Sequence, residues 1–261
     1  MTEFYVYPGC AIPTKLPFVE SAARFLLDSL GIAHEDFPDF TCCVEPVGLR
    51  SLGLETWLVS GARLHTIAER GGRAVLTLCD GCTLSLRESG ELLDSSGKEH
   101  ADPVLRELGM EYTGQAKVVG FLELVHSRLE RIMELKRDDC GLRLGIHPGC
   151  HGSHLSGNGG GGADAMLTEI VEALGCEAVQ AEGRVCCGGS LTSVNDDVSR
   201  KVSDEAVSAY PGAEALVTSC PFCFLQFDTV TRKVPVIHVA ELVASCIGWE
   251  ADHMSHHRTR A

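Results

Sequence analysis

The sequence predicts an α/β protein made of two similar halves, each a small parallel sheet with flanking helices, related by a pseudo-twofold duplication. Three observations predict it. First, an ordered set of cysteines occurs twice: Cys10, Cys42-Cys43 and Cys79-Asp80-Gly81-Cys82 return as Cys150, Cys186-Cys187 and Cys220-Pro221-Phe222-Cys223. The spacings are C-x31-CC-x35-CxxC and C-x35-CC-x32-CxxC, with offsets of 140, 144 and 141 residues between the copies. Second, the flanks repeat: Tyr7-Pro8-Gly9-Cys10 matches His147-Pro148-Gly149-Cys150, and Ala74-Val75-Leu76-Thr77 matches Ala215-Leu216-Val217-Thr218. Third, short apolar runs alternate with segments of helical periodicity, the pattern of parallel strands covered by helices.

The elements follow in order. Phe4–Tyr7 is a β-rich run entering a Pro-Gly turn. Val19, Ala22, Ala23, Leu26 and Leu27 fall at helical spacing and stop at Leu30-Gly31, a common helix end. Residues 54–69 form the next helix, and residues 74–78, nearly all apolar, read as a buried parallel strand. The second half repeats this with a strand over 142–146, a helix carrying Met166, Ile170, Val171 and Leu174, a helix over 198–209 and a strand over 215–218. The run from Val118 to Val125 matches that from Val236 to Val243 at an offset of only 118, so the first half holds about two dozen extra residues after Cys82; the polar stretch 89–100 is the expected insertion. The boundary falls near residues 137–141, giving an N-terminal domain over 1–138 and a C-terminal domain over 139–261. Each cysteine block then sits at a strand's C-terminal end or in the following loop, where open α/β sheets bind ligands.

Composition narrows the function. The 261 residues are 44% apolar and 22% charged, which excludes wholesale disorder. The net charge of −14, from 22 basic and 36 acidic residues, argues against a nucleic-acid partner. No run is long and apolar enough to span a membrane, and the N-terminus lacks a basic region and an apolar run, so a cytoplasmic protein without a membrane span is expected. Thirteen cysteines in such a compartment point to metal binding or redox work rather than disulfides.

Each set offers five thiols. Soft thiolates select zinc, copper(I) or iron–sulfur clusters, and one tetrahedral zinc uses only four. Adjacent cysteines on an extended backbone point apart, so a Cys-Cys pair more easily serves different irons of one cluster than a single ion. Five donors therefore favour a multinuclear site. The chain has no C-x2-C-x2-C-x3-C-P run and no G-x-G-x-x-G after a strand, so neither a ferredoxin-type cubane of that pattern nor a flavin or nicotinamide is expected in it.

These motifs resemble the duplicated cysteine-rich (CCG) domain of the B-type subunits of heterodisulfide reductase from methanogenic archaea, over nearly the whole chain. That family carries C-x(31–38)-CC-x(33–34)-CxxC twice; here the second spacer is one residue longer in the first half and one or two shorter in the second. The resemblance implies two noncubane [4Fe-4S] clusters, one held by Cys10, Cys42, Cys43, Cys79 and Cys82, the other by Cys150, Cys186, Cys187, Cys220 and Cys223. It implies catalysis through those clusters, reducing the coenzyme M–coenzyme B mixed disulfide to two thiols. It also implies electrons from a ferredoxin-like (C-type) subunit, a flavin-containing (A-type) subunit beyond it, and a hydrogenase or formate dehydrogenase further on. A related domain occurs in glycolate- and lactate-oxidase-type complexes, so an electron-relay subunit is the alternative. Two one-electron centres would divide a two-electron disulfide cleavage into matched steps.

His147, His151 and His154 flank Cys150, where a proton donor to a product thiolate would stand; packing or hydrogen bonding to the cysteine loop is the other reading. His154 is the candidate for the donor. Tyr7 takes the place of His147 in the first half. Lys15, Arg50, Arg63 and Lys201 are candidate anion contacts or plain surface charges. The glycine-rich run from Gly157 to Gly162 reads as a mobile loop or as a phosphate-holding loop before a helix. Cys176 and Cys246 read as core and Cys140 as an exposed thiol, while His253, His256 and His257 lie in a polar C-terminal stretch expected to fray rather than bind metal.

Overall fold

The computed structural model describes residues 3–44, 48–155, 162–183, 186–231 and 233–250. Among these, the strands form two four-stranded parallel sheets. The first contains β1 (Phe4–Tyr7), β2 (His34–Asp36), β3 (Ala74–Thr77) and β4 (Val118–Gly120); the second contains β5 (Arg143–Ile146), β6 (Glu177–Val179), β7 (Ala215–Thr218) and β8 (Val236–His238). Their orders, β2-β1-β3-β4 and β6-β5-β7-β8, are the same topology twice, as the duplication requires.

The central strands β1, β3, β5 and β7 are the apolar runs legible in the sequence, because both faces of a parallel sheet are covered. All four residues of β1 are buried. The edge strands β2 and β6, His34-Glu35-Asp36 and Glu177-Ala178-Val179, carry no apolar alternation and pair on one side only, so pattern alone misses them. In each sheet the chain leaves the first strand to one side and returns to its other side. This makes a switch point between β1 and β3, and between β5 and β7, where the following loops diverge and leave a crevice. The Pro-Gly-Cys turns follow β1 and β5; the CxxC segments follow β3 and β7.

The chain packs as two compact units whose division differs from that of the repeat. One is Met1–Cys10 with Gly31–Phe121; the other is Ala11–Leu30 with Leu122–Ala261. The helix Pro17–Ser29 buries Phe18, Val19, Ala22, Ala23, Leu26 and Leu27, and packs on the helix Val239–Cys246 of the second unit. Phe18 also meets Phe224, with ring centroids 5.8 Å apart. At about 1.5–3 kcal/mol for each large apolar side chain buried, that stripe accounts for the docking of the helix. The duplication is thus read at residue 138, while packing draws residues 11–30 and 122–138 into the second unit.

The insertion of the first half is helical. The helix Asp80–Leu92 continues through a π-turn, Leu93–Gly97, into the helix Lys98–Glu107. Its charged sequence hides an apolar stripe: Leu93, Ala101 and Leu105 pack with Trp57, Leu58, Ala62 and Tyr112.

β8 ends in a helix cap that uses a side chain which Gly120, at the matching position, does not have. His238 Nδ1 accepts from the Ala240 N–H at 3.2 Å, and the Glu241 carboxylate accepts from the His238 N–H at 3.1 Å. Burial lowers the His238 pKa to about 4. The unfolded chain therefore takes up this proton first. The stability gained by burying a neutral imidazole is fully present above pH about 6.5 and is lost as pH falls towards 4, a change of about 3 kcal/mol. Denaturant unfolding across that window is expected to show the decline in the unaltered protein and a weaker one in His238→Asn.

Candidate metal centre

Each site is built on a turn that only glycine fits. Pro8 ends β1, and Gly9 (φ +72°) turns the backbone against the CxxC segment; a Cβ there would stand 2.9 Å from Cys82 Sγ. Gly149 (φ +70°) does the same in the second unit, 2.9 Å from Cys223 Sγ. Both the left-handed backbone and the close approach exclude a side chain.

The CxxC segments open helices. Cys79 caps the helix Asp80–Leu92 from an extended conformation, and Cys220 caps the helix Pro221–Gln226 with proline in its first turn. The Thr83 N–H donates to the Cys79 carbonyl at 2.9 Å, and the Phe224 N–H to the Cys220 carbonyl at 3.0 Å. Thr77 and Thr83 hydroxyls meet at 2.6 Å beneath the first segment. In the second, the Cys220 N–H donates to Thr218 Oγ1 at 3.2 Å. These bonds aim both thiols of each segment at the switch point.

The Cys-Cys pairs lie on loops that turn sharply after the second cysteine. In the second unit that turn is Gly188 (φ +76°), with Gly188 and Gly189 N–H groups each 3.4 Å from the Cys186 and Cys187 sulfurs. Ser199 Oγ donates to the Gly188 carbonyl at 2.8 Å and accepts from Gln226 Nε2 at 2.9 Å. In the first unit the equivalent residue is Val44, which takes φ +57° despite its branched side chain. Ser85 Oγ holds it there through the Cys43 and Val44 carbonyls, at 2.9 and 3.1 Å, and accepts from Trp57 Nε1 at 2.8 Å. A valine in this region is strained by about 1–2 kcal/mol. Val44→Gly is expected to raise the stability of the unit by about 1 kcal/mol in thermal unfolding, since glycine's extra unfolded-state entropy offsets part of the relief. Val44 and its supports Ser85 and Trp57 escaped sequence reasoning; a residue other than glycine after a Cys-Cys pair was the available signal.

Each set of five divides into a buried trio and an exposed pair. Cys43, Cys79 and Cys82 are buried while Cys10 and Cys42 are exposed; Cys187, Cys220 and Cys223 are buried while Cys150 and Cys186 are exposed. Cys43 and Cys82 sulfurs lie 3.2 Å apart. Contact with Cys42 raises the Cys43 thiol pKa, contacts with Cys43 and Cys79 raise that of Cys82, and burial with Cys42 nearby raises that of Cys10. In the second unit the Cys186 and Cys223 thiols donate to Cys187 and lower its pKa, with His147 and the Gly189 N–H adding to the effect. Cys220 is lowered to about 5, chiefly by Cys223 and then by His151, while Cys223 is pushed up by Cys187 and Cys220 and Cys150 by burial. Five packed thiols cannot all ionise against their own repulsion. Cations that replace the protons resolve it, so the donor set fits a thiolate-bound metal centre. Among the described residues no group of Cys, His, Asp or Glu has the arrangement of ligands about one ion. The thiols are joined instead by pairwise contacts, in a set one larger than a tetrahedral ion uses.

The other candidate residues sort differently. His147 and His151 are buried beside Cys187 and Cys220. His154 is exposed and lines a cavity of about 490 Å³ with Cys150, Ser153, Asp164 and Tyr210. Arg50 pairs with Glu88 and stacks over Trp57 at 4.6 Å. Arg63 donates to Thr41 Oγ1 at 3.1 Å and to the Asp39 carbonyl at 3.2 Å and so braces the first cysteine loop. Lys15 and Lys201 are exposed. Of the glycine-rich run only Gly162 is described, immediately before the helix Ala163–Ala173; Gly157 to Gly161, and His253, His256 and His257, lie outside the described residues.

The reading of Cys140 as an exposed free thiol is corrected: it forms a disulfide with Cys176, with Cα atoms 5.4 Å apart. The chain turns back from residue 140 so that the Cys140 N–H donates to the Leu174 carbonyl at 3.0 Å, which brings two cysteines 36 residues apart together. Cys246 is buried, as expected. Denatured, metal-free protein is expected to show eleven reactive thiols before reduction and thirteen after. Reduction should lower stability by about 2–4 kcal/mol.

Two copies of an α/β fold, each with five thiols at the switch point of its sheet, define a duplicated cysteine-rich protein whose thiol sets fit a metal centre. A family model described as CCG, cysteine-rich domain, matches residues 4–87 and 144–228. The B subunit of the ferredoxin/F(420)H(2)-dependent CoB-CoM heterodisulfide reductase of Methanosarcina acetivorans is 30% identical over 276 residues, covering 97% of this chain and 92% of that protein. The B subunit of the ferredoxin:CoB-CoM heterodisulfide reductase of Methanosarcina mazei is 29% identical with the same coverage. A hypothetical protein from Helicobacter pylori shares the fold at a TM-score of 0.72 and 14% identity, over 95% of this chain and 49% of that one, so the chain spans about half of that molecule. The chain belongs to the cysteine-rich CCG-domain family, in the group of heterodisulfide reductase B subunits. No helix among the described residues is long and apolar enough to cross a membrane.

Proposed function

We propose that this chain is the disulfide-reducing subunit of a heterodisulfide reductase complex, converting the coenzyme M–coenzyme B mixed disulfide to two thiols with two electrons and two protons. The observation that carries the reading is the convergence of five thiols at the switch point of both sheets, in a chain 30% identical to a named B subunit. Cys10, Cys42, Cys43, Cys79 and Cys82 would hold one noncubane [4Fe-4S] cluster, and Cys150, Cys186, Cys187, Cys220 and Cys223 the other. Bound clusters supply electrons singly and an iron that can take a thiolate sulfur. The buried trios would shield one side of each cluster from water, and the exposed pairs would leave the other side open to substrate. His154, which lines a cavity with Cys150, would give a proton to a departing thiolate. Electrons would come from a ferredoxin-like (C-type) subunit, fed by a flavin-containing (A-type) subunit and a hydrogenase or formate dehydrogenase. The compartment would be the cytoplasm.

The test is reconstitution with iron and sulfide, then assay with the mixed disulfide and a reduced viologen. About eight irons per chain and formation of both thiols are expected. Full iron uptake without disulfide reduction would favour an electron-relay role in a glycolate- or lactate-oxidising complex; zinc in place of iron would overturn the reading.

A further inference from the structure

The two five-thiol sites are not chemical copies, and the difference lies at the residue before each Pro-Gly turn. We infer that His147, fixed by Tyr210, is a positioning residue that donates a hydrogen bond to the Cys187 sulfur and sets the second metal centre at a higher reduction potential than the first. This deepens the function proposed above and rests on the thiol sets being iron–sulfur sites.

His147 is 0% exposed, and its backbone N–H donates to the Val217 carbonyl at 2.9 Å, continuing the β5–β7 ladder. Its ring is packed edge-on to Phe227, with centroids 4.8 Å apart at 86°. Nδ1 lies 2.9 Å from the Tyr210 hydroxyl. A metal-bound Cys187 thiolate carries no proton, so the ring nitrogen turned to it must be the N–H, and the Tyr210 hydroxyl then donates to Nδ1. The ring proton then resides on Nε2, as second-shell partners generally fix a histidine tautomer. Nε2 is buried without a hydrogen-bond partner in the structure, and Cys187 is the thiol on which His147 acts.

The first unit has no imidazole at the matching position. Tyr7 occupies the matching position, and its hydroxyl donates to the Thr41 carbonyl at 2.5 Å. Among the residues that follow the turns, Ala11 stands where the second unit has His151. An N–H directed at a ligand sulfur stabilises the more negative, reduced state of a cluster and so raises its potential. An electron shared between the two centres would therefore rest on the second.

The test is a redox titration of the reconstituted full chain, followed by electron paramagnetic resonance, with Cys43→Ala and Cys187→Ala assigning each signal to its site. His147→Leu is expected to move the second centre to a more negative potential and leave the first unmoved. Tyr210→Phe, which keeps the packing, should shift the second centre by a smaller amount in the same direction, and His147→Gln should return it towards the unaltered value. If His147→Leu loses the second centre, Tyr210→Phe decides the matter. Unchanged potentials in Tyr210→Phe and His147→Leu, or equal shifts at both centres, would overturn the inference alone. Absence of iron–sulfur signals from the unaltered chain would overturn the metal-centre reading and the inference with it.

Discussion

Cys187→Ala is expected to remove about half of the iron bound by the reconstituted chain and one of its two paramagnetic signals, with the other half untouched. Cys187 belongs to the buried trio of the second site, where its sulfur receives the Gly189 N–H at 3.4 Å and contacts from Cys186 and Cys223. Alanine removes a soft donor at a buried position. Cys43→Ala should produce the mirror result in the first site, where Cys43 and Cys82 sulfurs are 3.2 Å apart. Each unit supplies its own five thiols, so the two losses are independent and the double variant should bind almost no iron. Iron analysis and paramagnetic resonance on folded protein check this. Loss of both signals from either single substitution would mean a shared site and would falsify the assignment.

Gly149→Ala carries the second large effect. A Cβ at this position would stand 2.9 Å from Cys223 Sγ and 3.7 Å from Cys220 Cβ, at φ +70°. Two costs combine: a left-handed alanine, worth about 1–2 kcal/mol, and displacement of a buried ligand sulfur. The expected result is a loss of about 1–3 kcal/mol of stability in metal-free protein, together with failure of the second site to take up iron. Gly9→Ala should do the same to the first site through Cys82. Gly141→Ala separates the two costs, because Gly141 has φ +68° but nothing within 4 Å of its Cβ position. It should lose stability by the backbone term alone and bind iron normally. Equal iron uptake by Gly149→Ala and Gly141→Ala would remove the steric argument.

The sequence made the central strands legible because β1, β3, β5 and β7 are buried on both faces and must be apolar whatever their neighbours. It hid β2 and β6 because both are three-residue strands that pair on one side, one made of His34-Glu35-Asp36 and the other with only two half-buried apolar residues. The helix Leu54–Gly71 was expected over 54–69 from its periodic apolar face, and the helix Asp196–Ser208 over 198–209. The insertion read as polar because its apolar residues, Leu93, Ala101 and Leu105, are spread among charges and matter only once Trp57 and Tyr112 come beside them.

By itself, the sequence determined the duplication and the parallel α/β class, and it set ten cysteines out as two ordered sets of five. The sheet order β2-β1-β3, which the chain order does not fix, is what brings the loops of each set to one end of a sheet. Only the tertiary structure decided which thiols are buried and which open, that Val44 takes a left-handed turn held by Ser85, and that Cys140 closes on Cys176. It also decided that the helix Pro17–Ser29 packs with the second unit and that Tyr210 reaches His147 across 63 residues. Each depends on partners distant in sequence, whose approach is set by how the elements pack rather than by the period or composition of either segment.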